Sequence, residues 1–106
     1  MKTHKLAEMS KGWFIGDFSP TLHATKDFEV AVKYYQAGDR EEAHLHRVAT
    51  EYTVIIGGEA RMNGHIYKAG DIVVIAPGEA TDFEAITDVA TTVVKLPSVK
   101  EDKYAA

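Results

Sequence analysis

The feature that most constrains this chain is its punctuation. Short segments rich in β-branched and aromatic residues are cut at brief intervals by AGD, GG, NG, a second AGD and PGE. Such turns fold the chain back before an ordinary helix could complete itself. The segments FEVAVKYYQ (28–36), AHLHR (43–47), EYTVIIGG (51–58), EARMN (59–63), HIYK (65–68), DIVVIA (71–76), DFEAI (82–86) and TTVVKLP (91–97) are predicted strands. Apolar residues in them run together or alternate instead of recurring at three and four; only residues 3–10 suit a turn of helix. Asn63-Gly64 is the best hairpin signal, because both residues accept positive φ in a tight turn. Many short strands in 106 residues predict an all-β fold, a closed or sandwiched antiparallel barrel that hides its edges.

That length fits one domain with a single core, spanning residues 1–106. The barrel is expected over about 28–97, with an N-terminal segment (1–27) before it and a polar, solvated tail (98–106) in which Tyr104 alone is a candidate to dock. The net charge is −4 and no basic run could track a phosphate backbone, which argues against nucleic acid as a partner. The apolar runs are too short to span a bilayer, and the N-terminus lacks the apolar stretch of a signal peptide. No membrane partner and a cytoplasmic location are the expectation. With no cysteine, disulfides and thiolate chemistry are excluded, so any metal would be held by imidazole and carboxylate.

Residues 41–60, EEAHLHRVATEYTVIIGGEA, contain those groups close together. Side chains two apart in a strand share a face, so His44 and His46 are expected to project together. Glu51 opens the next strand, and if the two strands pair as a hairpin its carboxylate falls beside the imidazoles. Two imidazoles and one carboxylate suit a divalent transition ion such as Fe, Ni, Mn or Zn. The plainer alternative is a pair of surface or hydrogen-bonded core histidines.

The spacing resembles the first motif of the cupin family: Gly38, five residues, His44, one, His46, four, Glu51, six, Gly58, with every fixed position occupied. The resemblance covers about residues 28–97. It implies a small double-stranded β-helix barrel of antiparallel jelly-roll type with the histidines in its mouth. The second cupin motif is half present. Gly70 and Gly78 stand at the expected separation, but Ala76 takes the proline position, Thr81 stands where the last metal-binding histidine should be, and Ala85 replaces the asparagine.

Three arrangements are open. His44, His46 and Glu51 alone hold the metal; Asp82 or Glu79 reaches it, although an inward Thr81 turns Asp82 outward unless a bulge re-aims the strand; or the site works without metal, its histidines serving as acid and base. In EVAVKYYQ either Val30, Val32 and Tyr34 or Ala31, Lys33 and Tyr35 face inward. A solvent-facing lysine is the simpler expectation; an inward one would set Lys33 and Tyr35 beside the site, and Lys95 poses the same question. Glu79, Tyr35 and Lys33 are the candidate proton-transfer groups. His65 belongs at a solvated hairpin tip, and His4 and His23 lie in segments of open structure. Small cupins often pair an N-terminal strand with a second subunit, so the resemblance makes Trp13, Phe14 and Ile15 candidates for a homodimer interface. The functions it implies are a metal-dependent isomerase, epimerase, dioxygenase or lyase acting on a small oxygen-rich, carbohydrate-like molecule. The alternatives are a barrel that binds a small ligand or metal without turnover, a metal-free epimerase-like site, and a structural protein with a vestigial motif.

Overall fold

The computed structural model describes all 106 residues. Ten strands form two five-stranded antiparallel sheets: β1 (Trp13–Ile15), β2 (Glu29–Tyr35), β3 (Arg40–Leu45), β4 (Thr50–Gly57), β5 (Glu59–Met62), β6 (His65–Lys68), β7 (Ile72–Ile75), β8 (Thr81–Ala85), β9 (Val89–Leu96) and β10 (Tyr104–Ala105). The first sheet runs β1-β2-β9-β4-β7 and the second β10-β3-β8-β5-β6. Each of the eight segments read from the sequence contains a strand, although β3 begins earlier than expected and ends at Leu45, before His46; the helical turn near the start is a single 3-10 turn, Leu6–Glu8.

Register settles which row of β2 faces inward. Across the first sheet the rows read Glu29, Lys95, Glu51, Ile75, then Ala31, Val93, Thr53, Val73, then Lys33, Thr91, Ile55. Ala31, Ile55, Thr53, Thr91 and Val93 in these rows are buried, so Lys33 and Tyr35 share the inner face and the solvent-facing expectation for Lys33 is corrected. A lysine is tolerated there because the inner face is apolar at one end only. Ile55, Ala60, Met62, Ile75, Phe83, Ala85 and Val89 pack into one core cluster, and the polar members of the rows line the rest of the interior.

A second correction concerns β3 and β4. They do not pair as a hairpin: β3 lies between β10 and β8 in the second sheet, and β4 between β9 and β7 in the first. The residues between them cross from one sheet to the other, so Glu51 approaches the histidines face to face across the barrel, not side by side along a ladder. The crossing is held from the C-terminal segment, which is docked and not a free polar tail. The buried carboxylate of Asp102 accepts the backbone N–H groups of Arg47, Val48 and Ala49 at 2.8 to 3.3 Å. Burial opposes its charge, but these bonds together outweigh that penalty and hold its pKa below the ordinary carboxylate value. Next to it β10 pairs with Leu45 and His44, and the Arg47 guanidinium lies 4.0 Å from the Tyr104 ring centre.

Two turns show why the sequence folds this way locally. Asn63 and Gly64 take φ of +48° and +81° between the paired residues Met62 and His65, the mirror-image turn that matches strand twist. This turn is also clamped. Asp82 Oδ1 accepts the Asn63 backbone N–H, Asn63 Oδ1 accepts the Asp82 N–H, and the Asn63 amide donates to the Ala80 carbonyl. Gly58, at φ +83°, lies so close to the Asp88 carbonyl that a Cβ there would collide with it, which accounts for the last glycine of the first motif.

Candidate metal centre

A cavity of about 220 Å³ opens between the two sheets and is lined by His44, His46, Glu51 and Thr81, the positions singled out from the sequence. Each arrives from a different local cause. His44 sits opposite Thr81 where β3 pairs with β8, just after a register shift between Glu41 and His44. This irregularity re-aims the strand end. His46 lies one residue beyond β3 and is 5% exposed. Its carbonyl accepts the Gly78 N–H at 2.6 Å, which ties the first motif to the second. Glu51 comes from β4 in the opposite sheet.

The two imidazoles stand 5.3 Å apart, centre to centre, and edge to face at 88°. His44 Nδ1 is 3.2 Å from the Glu42 carbonyl. A carbonyl only accepts, so Nδ1 carries a proton, and in the neutral ring this leaves the Nε2 lone pair free, the tautomer of a metal-ligating histidine. His46 Nε2 accepts a hydrogen bond from the Lys95 ammonium at 3.0 Å. Burial first, and the Lys95 charge second, lower the His46 pKa to about 4, so this ring is neutral at physiological pH. Glu51 Oε2 accepts the Thr53 hydroxyl at 2.8 Å. Two imidazoles and a carboxylate are the donor chemistry that suits a divalent transition ion. In the arrangement seen, however, no three His, Asp or Glu side chains stand close enough together to hold an ion, and the cation against His46 is Lys95.

The remaining sequence candidates divide. Tyr35 is inward, 4.4 Å from Phe83 ring to ring, and its hydroxyl donates to Glu41 Oε1 at 2.8 Å. Burial first, and the charge of Glu41 next, push its pKa up, so the phenol keeps its proton. Lys33 is inward beside Thr91. Glu79 lines the cavity from an exposed turn, where its carboxylate accepts the Ala76 N–H. Asp82 is exposed, and its carboxylate is engaged by the Asn63 turn. His4, His23 and His65 are exposed and outside the cavity lining.

Sequence reasoning missed Glu41, Lys11 and Lys103, which also line the cavity. Glu41 carried no legible signal: in a regular strand it lies on the face opposite His44 and His46, and it shares their inner face only because of the register shift between Glu41 and His44. Lys11 and Lys103 precede β1 and β10, the two strands outside the eight segments read from the residues. Trp13 lies in β1, which pairs with β2 of its own chain, and its ring faces the Lys33 and Lys95 ammonium groups at 5.1 and 4.8 Å.

No protein-family model and no curated protein matches this sequence. Solved structures do. An uncharacterized conserved protein with a double-stranded β-helix domain from Klebsiella pneumoniae aligns with 27% identity over 70% of this chain and 66% of its own, at a TM-score of 0.66. DMSP lyase DddQ from Ruegeria pomeroyi aligns with 21% identity over 87% of this chain and 48% of its own, at 0.72. The oxalate decarboxylase of Bacillus subtilis, a protein with Mn(II) centres, aligns with 21% identity over 76% of this chain and 24% of its own, at 0.63. The chain thus spans less than two thirds of each of these proteins. Sheet order, the two motifs and these likenesses agree: this chain has the double-stranded β-helix fold of the cupins.

Proposed function

We propose that the cavity binds a divalent transition metal through His44, His46 and Glu51, the ion displacing Lys95 from His46 and drawing the three side chains together, and that the chain is a metal-dependent enzyme acting on a small oxygen-rich, carbohydrate-like molecule. The observation that carries this reading is the tautomer set on His44 by the Glu42 carbonyl, which leaves a lone pair free in a cavity that also holds a neutral His46 and a carboxylate. The Mn(II) centres of a protein of the same fold support it. Thr81, opposite His44, supplies no strong ligand and leaves that side open to substrate. A bound ion would supply electrophilic polarisation of a carbonyl or hydroxyl oxygen.

The chain's own groups then manage protons. Tyr35 holds its proton and is suited to donate; Glu41, which accepts that hydrogen bond, is the matching base. Glu79 is a second carboxylate at the rim. Acid and base groups lining one cavity favour isomerase, epimerase or lyase chemistry over a dioxygenase. We also propose that the chain is a homodimer. Its contact is the outer face of the first sheet, where Ile56, Ile72 and Val74 are exposed. The Trp13–Ile15 strand is a poorer choice, since it is committed to β2.

Elemental analysis of untagged protein purified without chelators, beside the His44→Ala/His46→Ala double variant, tests the metal. Near-stoichiometric Fe, Ni, Mn or Zn in the parent and none in the variant is the expected result, and iron would move dioxygen chemistry to the front. Metal in neither protein, even after reconstitution, overturns the reading. It would favour a metal-free acid and base site or a ligand-binding barrel, for which the specific observation is Lys95 already seated on His46 Nε2.

A further inference from the structure

Four lysines, Lys11, Lys33, Lys95 and Lys103, line the one cavity, in a chain whose net charge is −4. They come from four separate places: the approach to β1, the inner faces of β2 and β9, and the approach to β10. None of them forms an ion pair; the lysines that do are Lys68 and Lys100, both elsewhere. Lys95 is flanked in its row by Glu29 and Glu51, yet its ammonium bonds His46 instead.

The cavity's carboxylates are in the opposite condition. Glu41 is bonded by Tyr35, Glu51 by Thr53, Glu79 by the Ala76 N–H and Asp82 by the Asn63 N–H. The negative groups are thus each hydrogen-bonded by a neutral group of the protein, while none of the four ammonium groups meets a carboxylate. Thr91, 1% exposed and opposite Lys33 among the residues around the cavity, has a buried hydroxyl with no hydrogen-bond partner. Buried polar groups in native proteins are seldom left so.

We propose that these lysines form an oxyanion subsite, which takes a carboxylate or phosphate group of the substrate at the Trp13 side of the cavity, next to His44 and His46. The inference rests on reading this cavity as the substrate site. Lys33 lies at the centre of the cluster: burial first, and then Lys95, Lys103 and Lys11 against the opposing pull of Glu41, disfavour its charge. An incoming anion reverses that repulsion and gives the ammonium groups an acceptor. Lysines act here as mobile point charges, suited to an anion whose exact pose varies.

Trp13 is the chain's single tryptophan, and two of the four ammonium groups lie over it, so its fluorescence reports directly on the subsite. Malonate and inorganic phosphate are titrated at constant ionic strength into chelator-stripped, dialysed protein and into metal-loaded protein, with chloride as the control. A saturable change in Trp13 emission with one or both oxyanions is expected, and the better binder of the two identifies the group. Lys33→Gln and, independently, Lys103→Gln should each weaken it about tenfold, while Arg61→Gln on the outer face leaves it unchanged. Lys103 is exposed, so its variant keeps the test alive if Lys33→Gln fails to fold. A flat titration, or one that Lys33→Gln and Lys103→Gln leave unaltered, overturns the subsite. Metal content is measured on the same samples: metal bound with no oxyanion response sinks the subsite alone, and an oxyanion response in protein that takes no metal sinks the metal reading alone.

Discussion

The two sheets of this barrel are built to different rules. The first has long strands, with β2, β9 and β4 in register over most of their length, and its outer face is aliphatic. The second has shorter strands and a register shift beside its histidine, and its outer face carries ion pairs between Arg61, Arg40 and Glu84 and between Lys68 and Glu59. Regular pairing fixes the inward rows that hold Lys33, Glu51 and Lys95, and irregular pairing aims His44. The difference teaches that one sheet serves as the frame against which the other is adjusted.

The comparison breaks most readily in the core. Ile55, fully buried on β4, should cost about 3 kcal/mol when cut to alanine, read by denaturant unfolding, with metal content of the folded protein unchanged. A metal loss equal to that of the histidine variant would show that frame and site are not separable.

Asp102 is the next largest lever, because it holds the crossing between the sheets. Asp102→Ala leaves backbone N–H groups of residues 47–49 unpaired and should cost about 2 kcal/mol, and Asp102→Asn less. Its folded pKa is depressed, so its contribution is complete above the ordinary value of 3.8 and is lost as pH falls through the lowered one. Unfolding curves of the parent should therefore weaken in that acid range, and those of Asp102→Asn should lack this component. Equal acid sensitivity in both would remove Asp102 from the account.

The smallest effect on the monomer is expected at the outer faces. Ile72→Glu with Val74→Glu, at exposed positions of β7, should leave unfolding within about 0.5 kcal/mol per substitution while converting a dimer to a monomer in sedimentation velocity. A parent that already sediments as a monomer would end the dimer proposal.

Much of this was legible in the sequence, and the remainder was hidden for physical reasons. Strand segments were readable because turn residues fix where the chain reverses, and the Asn63-Gly64 turn because few dipeptides accept two positive φ angles. The placement of β3 and β4 in different sheets was not, since a short connection between two strands looks the same whether it closes a hairpin or crosses a barrel. β1 and β10 escaped because three- and two-residue strands are defined by backbone pairing with distant partners, which leaves little mark on composition. Parity left the direction of Lys33 open until β9 supplied the register. The histidines and Glu51 stood out by spacing alone, while Lys95 became a site residue only when the fold set its ammonium on His46.

The clamped turn at Asn63 has a consequence for how the protein ages. An Asn-Gly step is the peptide sequence most given to deamidation, in which the glycine nitrogen attacks the asparagine side-chain carbonyl and expels ammonia through a succinimide. That attack requires the side chain to swing freely. Here its oxygen is held by the Asp82 N–H and its nitrogen by the Ala80 carbonyl, so the native turn keeps the amide out of reach. Isoaspartate at residue 63 in stored protein would then be a chemical clock, counting the time that the β5-β6 hairpin has spent detached from β8.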